Sequence, residues 1–158
     1  GRWIYFTSLR TGQHQVWKIP WTPGVGREGE AVQVTNKGGY VALESPDGRF
    51  IYYANSRVNP CLWRVPAQGG EETEILPALH YPKSFAVAER GIYFVPPQKA
   101  GEKYSIQFLE FATGKTFPVA IIDKPVGDRL AISPDGRSLL YEQVDQQGRD
   151  LMLVENFR

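Results

Sequence analysis

Hydrophobic and polar positions along this chain alternate in short runs bounded by Gly, Pro, Asn, Asp and Ser. The clearest runs are Trp3-Ile4-Tyr5-Phe6, Val16-Trp17-Lys18-Ile19, Phe50-Ile51-Tyr52-Tyr53 and Leu62-Trp63-Arg64-Val65 in the first half. Gly91-Ile92-Tyr93-Phe94, Phe108-Leu109-Glu110-Phe111, Ser138-Leu139-Leu140-Tyr141 and Leu151-Met152-Leu153-Val154 follow in the second. Aromatic and β-branched residues are frequent in them, which suits a pleated surface packed on one or both faces. No segment of about ten residues or more carries a 3.6-residue period, so the pattern predicts strands and no helices.

One phrase organises these runs. Ser45-Pro46-Asp47-Gly48-Arg49 precedes Phe50-Ile51-Tyr52-Tyr53, and Ser133-Pro134-Asp135-Gly136-Arg137 precedes Ser138-Leu139-Leu140-Tyr141. Pro presets φ at the second turn position, Asp can bond its own backbone, and Gly takes the position with φ > 0. Tyr5, Tyr52, Tyr93 and Leu140 mark the strand after the turn at steps of 47, 41 and 47 residues. Trp17, Trp63, Phe108 and Met152 mark the strand after the next loop at steps of 46, 45 and 44 residues. A period near 45 with several strands per unit is the signature of a β-propeller blade.

The expected architecture is therefore all-β: a propeller fragment of about four antiparallel blades, each of up to four strands. The units run over about 1–35, 36–77, 78–121 and 122–158. Strands are expected over 2–7, 15–20 and 30–35 in the first unit, and over 40–44, 49–55, 61–66 and 72–76 in the second. The third unit has a shortened first hairpin at Ala88-Glu89-Arg90-Gly91, which accounts for the 41-residue step. The fourth has strands over 129–133, 137–143 and 150–155. Three, four, four and three strands make about fourteen. The chain opens inside a repeat, which implies further blades upstream or association between copies.

Length and composition narrow the class. The 158 residues amount to one domain, and 42% hydrophobic with 13% aromatic residues are enough for a packed core. The 18 basic and 17 acidic side chains leave a net charge of +1, so no electrostatic footprint for nucleic acid is present in this segment. No apolar run reaches the roughly 20 residues of a membrane-spanning helix. A single cysteine, Cys61, excludes a disulfide framework and reads as a small packed residue.

The turn and its strand resemble the TolB-type, WD-like propeller repeat, marked by an S-P-D-G-[RK] turn and a strand of two hydrophobic residues and Tyr or Phe. Residues 45–53 and 133–141 carry the mark in full, 1–6 its second half and 91–94 a degenerate form. The resemblance covers nearly the whole chain. The C-terminal run from Ser105 through Arg158 resembles the extreme C-terminus of propeller domains in soil-bacterial, especially acidobacterial, multidomain proteins. In those proteins the propeller follows a winged-helix DNA-binding domain or a serine/threonine kinase domain, often with a membrane span between. The resemblance implies a sensor or protein-interaction module of a bacterial regulator, in cytoplasm or periplasm according to what precedes it.

Catalytic chemistry is not visible. Gly24, Gly26 and Gly29 form no phosphate-binding loop, no G-x-S-x-G elbow occurs, and only His14 and His80 could act as imidazole bases. Asp47 and Asp135 recur at one turn position, as turn formers do. No cofactor and no metal are expected. A ligand face is expected instead where inter-blade connections gather, by analogy with propellers. It comprises Lys37, Tyr40, His80, Tyr81, Lys83, Lys124, Asp128 and Arg129, facing a protein or small ligand; a solvated polar rim would have the same composition. Trp17 and Trp63 read as inter-blade packing residues and Trp21 as partly exposed. Two other functions fit a propeller of this repeat: part of a prolyl-oligopeptidase-type peptidase, or a periplasmic TolB-like partner-binding protein.

Overall fold

The computed structural model describes residues 2–27 and 29–145. Its strands are β1 (Trp3–Ser8), β2 (Gln15–Thr22), β3 (Gly26–Arg27), β4 (Val32–Gln33), β5 (Val41–Glu44), β6 (Phe50–Ala54) and β7 (Leu62–Pro66). They continue as β8 (Thr73–Leu76), β9 (Phe85–Val87), β10 (Gly91–Phe94), β11 (Tyr104–Glu110), β12 (Thr116–Ile122), β13 (Val126–Ile132) and β14 (Leu139–Gln143). Among the described residues there is no helix.

The strands form four antiparallel sheets in chain order: β1–β4, β5–β8, β9–β12 and the pair β13–β14. In the second and third sheets each strand pairs with its sequence neighbours. Among the described residues there are fourteen strands, distributed otherwise than expected. The first sheet has four strands rather than three, because the glycine-rich stretch after Trp21 folds back as β3 on the end of β2. β4 then pairs with Trp17 and Lys18 and is only two residues long. The strand expected over 150–155 lies outside the described residues.

The repeated turn forms as its residues dictate. Ser45 Oγ donates to Asp47 Oδ1 at 2.6 Å, and that oxygen also accepts the Arg49 amide at 3.0 Å. The Phe50 amide donates to Ser45 Oγ at 3.0 Å, and Gly48 takes φ 70°. Ser133, Asp135, Arg137 and Ser138 repeat this set at 2.6, 3.1 and 2.9 Å. The turns hold their strand pairs in register with polar groups that would otherwise be left open at the sheet end.

Three apolar clusters join successive sheets. Val16 and Val34 of the first meet Ile51, Tyr53, Val65 and Ala67 of the second. Tyr52, Leu62 and Leu76 of the second meet Phe85, Ile92 and Phe94 of the third. Ala86, Ile106 and Ile122 of the third meet Val126 and Leu130 of the fourth. Each Val, Leu, Ile or Phe among them contributes about 1.5–3 kcal/mol when removed from water. Strand alternation explains the arrangement, since neighbouring residues such as Tyr52 and Tyr53 point to opposite sides and serve opposite interfaces.

Register corrects one sequence correspondence. Tyr52 pairs with Arg64 and Tyr53 with Trp63, whereas Tyr93 pairs with Phe108 and Phe94 with Gln107. Phe108 therefore stands in the place of Arg64, and Gln107 in that of Trp63. The Phe108 ring lies on the side of Tyr93, toward the fourth sheet. A bulge between Ile106 and Gln107 shifts the pairing of β11 with β12.

Candidate functional site

In antiparallel sheets of this order the connections between sheets and the second hairpin loops share one rim. The Ser-Pro-Asp-Gly turns share the other. All eight candidate residues lie on or beside the first rim, and the structure divides them into three groups.

The central group is His80, Tyr81, Lys83, Asp128 and Arg129. The connection from the second sheet to the third is fixed by the His80 amide donating to the Val95 carbonyl at 2.9 Å and by Ser84 bonding the Tyr81 backbone. The Leu130 amide donates to the Lys83 carbonyl at 3.1 Å and brings β13 alongside. The His80 ring lies 4.2 Å from that of Tyr81 and 5.4 Å from that of Tyr104. Burial lowers its pKa, partly offset by a backbone hydrogen bond with Val126, so the neutral form is favoured. Lys83 Nζ is 3.8 Å from Asp128 Oδ2, and Arg129 Nε is 3.7 Å from Asp128 Oδ1. Both contacts are solvent-accessible and contribute at most about 1 kcal/mol each.

Lys37 and Tyr40 form a second group on the connection between the first and second sheets. Lys37 Nζ sits 4.6 Å above the Trp63 ring. Tyr40 meets the exposed His14 edge-on at 5.7 Å, and its carbonyl accepts the Thr7 hydroxyl at 2.9 Å. Gly38 and Gly39 let this connection run close to its neighbours: a Cβ on the first would collide with the Asn55 carbonyl, and on the second would come within 2.6 Å of the Val16 nitrogen. Lys124 stands apart from both groups, bonded to Asp145 at 2.8 Å.

Sequence reasoning missed the residue that anchors the second group. Glu72 is buried, and its carboxylate accepts the Asn36 amide at 2.5 Å, the Lys37 amide at 3.0 Å and the Tyr53 hydroxyl at 2.6 Å. Burial and this carboxylate push the Tyr53 phenol far above its usual range. Glu72 lies among Glu71 and Glu74 in a hairpin that reads as solvated, so nothing in the sequence marks it.

A cleft of about 760 Å³ opens on the opposite rim. Tyr93, Phe108, Phe117 and Val119 form one wall, and Ile132 with the Ser133–Gly136 turn the other. This is the part of the third sheet that the two described strands of the fourth leave uncovered. Arg90 and Glu110, which also line it, pair with each other at 3.4 Å. Cys61, expected as packed, is half-buried and lies 3.0 Å from the Pro77 carbonyl through its sulfur. Burial, helped by Glu74, raises its pKa, the reverse of what an activated thiol needs. Among the described residues no group of three or more His, Cys, Asp or Glu could hold a metal ion, and no helix is long and apolar enough to cross a membrane.

No family model and no curated protein match the chain. Solved structures do. A putative TolB from Agrobacterium tumefaciens matches with TM-score 0.61 and 17% identity over 91% of this chain and 56% of its own. TolB from Acinetobacter baumannii matches with TM-score 0.63 and 17% identity over 88% of this chain and 34% of its own. The fold is that of part of a β-propeller. The S511A mutant of a puromycin hydrolase, complexed with PGG, also matches, with TM-score 0.52 and 14% identity over 88% of this chain and 23% of its own. The chain thus spans about half or less of each of these proteins. At these identities the likeness is one of fold.

Proposed function

We propose that this chain is a non-catalytic protein-interaction segment of a propeller, the sensor or docking part of a larger bacterial signalling or transcriptional regulator. The observation that supports the reading best is the rim group around His80. Tyr81 is 43% exposed two residues from Lys83, whose partner Asp128 also holds Arg129, and Tyr and Arg are the residue types that most often anchor interfaces. Lys37 adds positive charge on the same rim, whereas that of Lys124 is paired with Asp145, so the partner this surface suits is a protein face carrying carboxylates. The regulator context draws on the resemblance of the C-terminal run and is part of the proposal. A TolB-like partner-binding role draws equal support from the two TolB structures.

The test is a photo-crosslinking amino acid placed at Tyr81 and, as a control on the opposite rim, at Glu89, in cells expressing the protein. A defined protein adduct from position 81 that is absent from position 89 and lost with Arg129→Glu supports the reading. Identical adducts from both positions, or none from 81, refute it. The puromycin hydrolase likeness supports a second reading, the propeller part of a peptidase. A hydrolase domain adjoining this segment in the full-length protein would favour that reading over the first, and a winged-helix or kinase domain the first.

A further inference from the structure

One cross-strand pair recurs in the first and second sheets but meets a different neighbour in each. Tyr5 pairs with Lys18 beside Trp3 and Pro20, as Tyr52 pairs with Arg64 beside Phe50 and Pro66. Lys18 Nζ lies 4.6 Å over the Trp3 ring, and the Arg64 guanidinium lies 4.5 Å over that of Phe50. Where the first sheet meets the second, both polar ends find acceptors on the second. The Tyr5 hydroxyl donates to Glu44 Oε1 at 3.3 Å, and Lys18 Nζ donates to the Ala67 carbonyl.

Where the second sheet meets the third, the carboxylate is gone. Glu44 pairs with Ile51 and Val87 with Ile92, so Val87 stands in the third sheet where Glu44 stands in the second. Phe111 takes the place of Ala67, and its ring stacks on Tyr52 at 5.7 Å. Tyr52 is 2% exposed and its hydroxyl is bonded by Arg64. Among the described residues that hydroxyl donates to no acceptor, and Arg64 pairs with no carboxylate. Buried donors normally have acceptors, and leaving one open is costly. These two line a cavity of about 450 Å³ walled by Phe50, Phe111 and Pro46. Asp47 and Glu89 border it, but Asp47 is engaged by Ser45 and the Arg49 amide, and Glu89 is exposed. Both sheets that form the cavity have a further sheet on their other side, so it belongs to neither end face.

We infer that this cavity binds a small organic acid, whose carboxylate fills the role that Glu44 fills at the previous interface. Its oxygens accept from the Arg64 guanidinium and the Tyr52 hydroxyl. A guanidinium offers paired N–H donors whose geometry matches a carboxylate. The rings of Phe50 and Phe111 receive an apolar body, and the volume is within the range usual for small-molecule sites. Asp47 and Glu89 disfavour a second negative charge, so the ligand carries one carboxylate. The cavity lies on the rim opposite the His80 group, and the inference does not depend on the function proposed for that group.

Ligand-observed NMR on the full-length protein tests it with 3-phenylpropionate as the probe. Its neutral amide, its amine counterpart and the dicarboxylate phenylsuccinate are the comparisons. The monocarboxylate should bind, and the amide and amine about tenfold or more weaker, since each lacks the charge-assisted pair. Phenylsuccinate should also bind more weakly. Arg64→Met should weaken 3-phenylpropionate about tenfold or more, and Tyr52→Phe, which keeps the stacked ring, about threefold or more. Val87→Glu restores the missing carboxylate and should abolish binding while leaving Arg64 in place. Circular dichroism establishes that each variant is folded; should Arg64→Met fail, Arg64→Gln replaces it, and the comparison among probes on the wild type needs no variant. No binding of 3-phenylpropionate, equal binding of any of the three comparison compounds, or binding that the Arg64 variant leaves unchanged overturns the inference.

Discussion

Replacing Glu72 by Ala should be among the more damaging single changes in this chain, although the residue lies in a hairpin rich in glutamates. Its carboxylate is the acceptor for the Tyr53 hydroxyl and for two backbone amides of the connection to the first sheet. Tyr53 is fully buried, so its hydroxyl would be left without a partner, at a cost of about 1–3 kcal/mol. The Asn36 and Lys37 amides lie near the surface and can turn to water, adding roughly 0.5–1 kcal/mol each. Glu72→Ala should therefore cost about 2–5 kcal/mol, against no more than about 0.5 kcal/mol for the exposed Glu74→Ala. Tyr53→Phe alone should cost about 1–2 kcal/mol. In the Glu72→Ala background Tyr53→Phe should cost little, because the donor it removes is already unpaired, giving a coupling of about 1–2 kcal/mol. Urea denaturation of the four proteins measures this, and amide exchange at Asn36 and Lys37 should speed up in the Glu72 variant. Equal midpoints for the Glu72 and Glu74 variants, or strict additivity with Tyr53→Phe, would refute the reasoning.

The remaining predictions follow from other contacts. Trp63→Ala should cost about 2–4 kcal/mol, because the half-buried ring packs on the cluster between the first two sheets, whereas His80→Ala should cost about 1 kcal/mol or less; denaturation midpoints compare them. Burial depresses the His80 pKa, so the unfolded chain binds its proton more readily than the folded one. Stability should then fall as pH drops through the ordinary value of 6.5, and His80→Gln should flatten that part of a pH–stability curve. The Ser45 hydroxyl and Arg49 amide hold Asp47 below the usual carboxylate range, and Ser133 with the Arg137 amide hold Asp135 likewise. The stability these two contribute should be present above the ordinary value of 3.8 and lost as pH falls through their lowered values, with carboxyl NMR shifts reporting each titration and Ser45→Ala raising that of Asp47 alone.

What the sequence made legible follows from how local each signal is. The Ser-Pro-Asp-Gly turns were readable because their hydrogen bonds close within six residues. The hairpins around Tyr5, Tyr52, Tyr93 and Leu140 were readable because aromatic and aliphatic residues recur at one spacing. Gly26-Arg27 as a separate strand was not, since a two-residue pairing leaves no pattern. The place of Phe108 was misjudged because an aromatic residue at nearly the right spacing hides a one-residue shift, and a one-residue shift turns the side chain to the other face. The candidate rim could be assembled from the order of connections. Its split into the His80 group, the Lys37–Tyr40 pair and Lys124 depends on partners distant in sequence, Trp63, Glu72 and Asp145 among them.

The central claim is that the four sheets pack as consecutive blades, each against the next. Side-chain NOE spectroscopy tests it most directly. The account predicts contacts between Val16 and Val65 across the first and second sheets, between the stacked rings of Tyr52 and Phe111 across the second and third, and between Ile106 and Leu130 across the third and fourth. Absence of the Tyr52–Phe111 contact, with contacts instead from Val16 or Ile51 to Ile92 or Phe94 of the third sheet, would contradict it.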